Sequence, residues 1–146
     1  MSETVTPEIN FFSEDIDFEL SQPETYVRWI NIILNAHKAT GEAISYIFCS
    51  DEYLLKVNRE YLNHDYYTDI ISFPYAEFPQ PISGDIFISI DRVKDNSLEH
   101  GTVFETELRR VMAHGLLHFL GFKDKSEEEQ KLMREKEEEM IGIFNN

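Results

Sequence analysis

His114 and His118 stand four residues apart, and the chain continues Phe119-Leu120-Gly121-Phe122-Lys123-Asp124. On a helix, residues four apart point the same way, one turn above the other. A glycine ends such a helix at no steric cost, because it enters the left-handed region freely. Gly121 so placed turns the chain back and brings the Asp124 carboxylate towards the two imidazoles. Two nitrogens from a rigid helix and one oxygen from the returning loop make a three-ligand site for a divalent transition metal. Such a site keeps positions open, as catalytic rather than structural sites do. The plainer alternative is a pair of core histidines satisfied by other groups. Their neighbours, Val111, Met112, Ala113, Leu116, Leu117, Phe119 and Leu120, are apolar. Burying two imidazoles among them is costly unless both find a partner, and metal ligation satisfies both.

The spacing resembles that of zinc peptidases, in which a glutamate beside the first histidine is the general base. Here that position is Gly115. Without the carboxylate nothing relays a proton to a leaving amine, so peptidase chemistry is not expected.

The site must be carried by the elements around it. Ile9 to Phe12 and Ile16 to Leu20 read as short strands, and Ser21-Gln22-Pro23-Glu24 as a capping box for a helix ending near Gly41. In that helix His37 lies beside the apolar stripe and reads as a core-edge residue. Ala43 to Cys49 reads as a strand, Ser50-Asp51-Glu52 starts a second helix running to Leu62, and a polar loop spans Asn63 to Asp69. Ile70 to Phe73 reads as a strand stopped by Pro74, and a loop with Pro79, Pro81 and Gly84 leads to a strand from Asp85 to Ile90. A helix follows from Asp91 to about Glu99. Thr102 to Glu105 reads as a capping box opening the histidine helix, and Ser126 to Glu129 opens the last one. The expectation is an α/β (α+β) layered domain spanning residues 1–146, with a mixed sheet of about four strands and about five helices.

Composition bounds the function classes. The chain has 146 residues, 42% hydrophobic and 13% aromatic, as a folded domain requires. No apolar run approaches the ~20 residues of a membrane span, and the first twenty-one residues contain no Lys or Arg. That segment is therefore not expected to be a targeting peptide. Cys49 is the single cysteine, which fits a reducing cytoplasm. The net charge of −15 repels phosphate, so binding of nucleic acid needs a local cationic site. The acidic run from Glu127 to Glu139 is expected to be a solvated helix face.

Three segments together resemble one family. His114-Gly-Leu-Leu-His118-Phe-Leu-Gly121-Phe122, the stretch from Asn58-Arg59 to Thr68-Asp69-Ile70-Ile71-Ser72-Phe73-Pro74, and Gly84-Asp85-Ile86 follow the order and spacing of the YbeY family. The resemblance implies a metal-dependent, single-strand-specific endoribonuclease of rRNA maturation and ribosome assembly. It implies RNA as substrate, with ribosomal proteins or assembly GTPases as further partners and no membrane association. The family usually places a third histidine where this chain has Asp124. An Asp is shorter and harder, so the loop must approach more closely, and Mn, Fe or Mg compete with the Zn that two histidines favour. The alternative for Asp124 is a cap on the last helix near Ser126. The family also gives weight to the arginine matching Arg59, whose guanidinium suits the charge that gathers on a phosphate in cleavage. By itself Arg59 reads equally as a helix-surface residue. Glu107, seven residues before His114, is a further candidate to orient a histidine or act as base, or simply a solvated first-turn glutamate. The other class of function is a non-catalytic ribosome-assembly factor whose acidity suits basic ribosomal proteins, the metal then serving as a folding element.

Overall fold

The computed structural model describes residues 7–145; residues 1–6 and 146 of the expected domain lie outside them. The order is β1 (Glu8–Ser13), α1 (Pro23–Ala36), β2 (Gly41–Cys49), α2 (Asp51–Leu62), β3 (Ile70–Ala76), β4 (Ile82–Ser89), α3 (Ile90–His100), α4 (Phe104–Phe119) and α5 (Glu127–Phe144). The four strands form one mixed sheet in the order β1-β2-β4-β3. β1 and β4 run parallel to β2, while β3 returns antiparallel to β4 with Ile70 opposite Ile88.

Strand alternation divides the core between two faces. Ile44, Tyr46 and Phe48 of β2 join Ile82, Ile86 and Ile88 of β4 beneath the apolar sides of α1, α3, α4 and α5. Cys49, Ile71 and Phe87 face the other way, against Leu54 and Val57 of α2. α4 lies over β3 and β4, which brings its histidine-bearing end to the β3 edge of the sheet.

Several boundaries differ from expectation. Ile16 to Leu20 forms no strand. Ser21 does not cap α1; Gln22 takes that position in the left-handed region without a side-chain capping bond. Thr102 likewise yields to Val103 ahead of α4. Ser50 and Ser126 do cap their helices, and Ser126 closes a full capping box with Glu129. β3 continues through Pro74 to Ala76, which is tolerated because an edge strand has one side that needs no hydrogen-bond donor. Gly84 lies inside β4 rather than before it: a Cβ there would come within 2.6 Å of the Phe73 carbonyl oxygen and 2.7 Å of the Phe119 ring. The bare backbone is what lets Phe119 seat against the sheet.

Candidate metal centre

α4 presents His114 and His118 with their rings edge to face, centroids 4.6 Å apart. Beyond the helix, Gly121 adopts φ +101°, and the amides of Gly121 and Phe122 bond back to the carbonyls of His118 and Leu117. The turn returns Asp124 to the histidines. Ser126, not Asp124, caps α5, so the Asp124 carboxylate is free to face the imidazoles.

His114 Nε2 lies 3.0 Å from His118 Nε2 and 3.1 Å from Asp124 Oδ2, and His118 Nε2 lies 3.3 Å from the same oxygen. The three atoms form a nearly equilateral triangle. A tetrahedral face around an ion with bonds of about 2.0–2.1 Å has edges of about 3.3 Å, so the donor set fits a single divalent ion.

Glu137 of α5 completes the arrangement. Its Oε2 accepts a hydrogen bond of 2.7 Å from His114 Nδ1, which leaves Nε2 with its lone pair towards the triangle. Burial pushes the His114 pKa down, but the Glu137 hydrogen bond and the charges of Glu137, Asp124 and Asp69 outweigh it and hold the pKa above the ordinary imidazole value.

Three hollows meet at this point, each lined by His114 and Asp124. A cleft of about 490 Å³ opens past the β3 edge, with Asn58, His64, Tyr66, Asp69 and His118 in its walls. A second, of about 480 Å³, runs along α5 past Lys131 and Arg134. The smallest, about 300 Å³, reaches Asp69, His100, Glu107 and Arg110.

A sequence profile of the family described as Endoribonuclease YbeY matches residues 8–145. The chain belongs to the YbeY family. Relatives named Endoribonuclease YbeY include those of Cytophaga hutchinsonii, 52% identical over 92% of this chain and 94% of its own length, and of Flavobacterium psychrophilum, 49% identical over 92% and 95%. The solution structure of TM1509 from Thermotoga maritima has the same fold, with a TM-score of 0.63 at 22% identity, covering 93% of this chain and 88% of that one.

Of the site residues expected from the sequence, His114, His118 and Asp124 come together, while Arg59, which the family resemblance brought forward, stands apart from them. Arg59 is exposed on α2, ion-paired through Nε to Asp65, and does not line the cleft that its neighbour Asn58 enters. Glu107 is neither a solvated glutamate nor a partner of His114. It is buried, 3.5 Å from His100 Nδ1 and 3.6 Å from Arg110 Nε. Arg110 in turn is shared among Glu107, Glu137 and Glu138, so its charge is already neutralised.

The acidic run is not wholly a solvated face, because Glu137 within it is 6% exposed. Its spacing with Met133, Met140 and Ile141, all buried, places it on the apolar stripe of α5, and that pattern was present in the sequence. Asp69 is the other residue missed: burial pushes its carboxyl above the ordinary range, and it lines two of the hollows at the centre. Gly115 also acquires a reason. A Cβ there would lie 2.9 Å from Ile70 Cδ1 and 2.9 Å from Ile86 Cγ2, so this side of α4 is pressed against the sheet, where no glutamate fits.

Proposed function

We propose that this chain is a metal-dependent endoribonuclease acting on single-stranded RNA in rRNA maturation and ribosome assembly in the cytoplasm. The observation that carries the reading is the triangle of His114, His118 and Asp124 at the junction of three hollows, in a chain whose relatives are named endoribonucleases. Those residues would hold one divalent ion, with zinc favoured by two imidazoles. When bound, the ion supplies Lewis-acid polarisation of a phosphoryl oxygen and activation of water.

The chain's own residues do the rest. Glu137 fixes the His114 tautomer and ring orientation. Lys131 and Arg134, both exposed along the α5 hollow, offer cations to the phosphates of an RNA strand. Arg59 contributes by moving from Asp65 onto the phosphate beside the cleft when substrate is present. Cleavage of a short single-stranded RNA by untagged protein tests the reading. Activity should be lost on chelation and in His114→Ala, and return when zinc is restored to the wild type only. Activity that survives both treatments refutes it.

One observation favours a second reading. Glu127, Glu128, Glu135, Glu138 and Glu139 are exposed on α5 and suit a basic ribosomal protein. Under a docking role with the ion as a folding element, His114→Ala would alter partner binding only through lost stability.

A further inference from the structure

The loop between α2 and β3 is fastened residue by residue. Asn63 takes the left-handed conformation that ends α2. The His64 amide donates to the Asn58 carbonyl at 3.1 Å, and the buried Asn58 side chain donates to the Tyr66 carbonyl at 2.9 Å. Asp65 is held by Arg59, and the Tyr67 hydroxyl donates to Glu52 at 2.6 Å. Two side chains of this rigid loop nevertheless stand in solvent on the wall of the metal-centre cleft. The His64 and Tyr66 rings are stacked, with centroids 5.2 Å apart and planes 21° from parallel, and the Tyr66 hydroxyl lies 3.0 Å from His64 Nδ1. Tyr66 is 55% exposed.

We propose that the His64–Tyr66 pair is a nucleobase-stacking subsite, seating a base of the RNA strand next to the phosphate at the metal centre. This rests on the reading of RNA as substrate. The pre-stacked rings present a flat π-surface on the cleft wall, and a base offers a π-face of matching size. The α2 anchors hold the rings in place beforehand, so little conformational freedom is lost when a base arrives. In a duplex the same base is already stacked and paired, so the subsite selects single strands.

The test is steady-state cleavage of a single-stranded oligoribonucleotide, and of copies carrying one abasic ribose at successive positions. Tyr66→Ala should raise KM about tenfold with kcat little changed, while Tyr66→Phe, which keeps the ring face, stays near wild type. One abasic position should cost the wild type a similar factor and cost Tyr66→Ala nothing further. Zinc content and circular dichroism of the variants, unchanged, exclude misfolding as the cause. An unaltered KM in Tyr66→Ala, or an abasic penalty of equal size in both proteins, overturns the subsite. So does a Tyr66→Ala variant that cuts RNA normally but no longer holds a basic ribosomal protein, since the platform then serves a protein partner. If the wild type cuts no RNA, the proposed function fails first and the subsite with it.

Discussion

At the scale of single residues, the centre depends on a carboxylate that ligates nothing. Glu137 holds His114 through Nδ1 and is itself buried beside Arg110. Glu137→Gln keeps a hydrogen-bond acceptor but removes the charge, and zinc affinity measured by competition with a chromophoric chelator should fall about tenfold to a hundredfold. Asp69 makes a pH prediction. Its carboxyl is held above the ordinary range by burial, so the folded chain binds that proton more tightly than the unfolded one. The associated stability is whole below the ordinary carboxylate pKa and is lost as pH rises through the folded value. With a chelator present, urea unfolding of Asp69→Asn should therefore gain on the wild type as pH rises from about 4 to about 7. Curves that stay parallel would contradict this. The clustering of His114, His118 and Asp124 was legible because they are joined by local geometry, a helical turn and a glycine exit at Gly121. Glu137 was not, since its meeting with His114 spans 23 positions and requires α5 to fold back onto α4. The neutralisation of Arg110 was hidden for the same reason: the glutamates around it include two from α5.

At the scale of elements, two glycines set how closely α4 and the sheet approach. Gly115→Ala would gain roughly 1 kcal/mol of helix propensity yet place a methyl group on Ile70 and Ile86, where overpacking costs about 1–3 kcal/mol. The flexible end of Ile70 absorbs part of this, so thermal unfolding should show a modest net loss. Gly84→Ala meets the Phe73 backbone and the Phe119 ring, neither of which can give way cheaply, and should be the more damaging of the two. The reverse order would mean that α4 is not pinned at Phe119. Caps were legible where the serine side chain closes its own bond, as at Ser50 and Ser126. They were not at Ser21 and Thr102, where Gln22 and Val103 take the cap without side-chain bonds. Strand extent was misjudged at Pro74 and Gly84 because both depend on sheet position: Pro74 lies on an edge strand, and Gly84 lies beneath Phe119.

At the scale of the whole molecule, the −15 charge and an RNA substrate are reconciled by placement. Glu128, Glu135, Glu138 and Glu139 stand exposed on α5 outside the hollow that leads to the centre, whereas Lys131 and Arg134 line it together with Glu127. RNA affinity should therefore fall steeply with salt, and Arg134→Ala should lower the slope of log K against log salt by roughly 0.7, the share of one phosphate contact on a single strand. A slope unchanged in the variant would move the strand away from α5. The layered α/β class and the mixed four-stranded sheet were legible from the alternation of strand and helix patterns, because that alternation follows the chain order. The meeting of three hollows at His114 was not, since it arises only when α2, α4, α5 and the β3 edge converge. The central claim is that His114, His118 and Asp124 hold one divalent ion, and elemental analysis of untagged protein purified without chelator tests it most directly. The account predicts close to one ion per chain in the wild type and its loss in a folded Asp124→Ala variant. A metal-free wild type, or an Asp124→Ala variant that retains its ion, would contradict it.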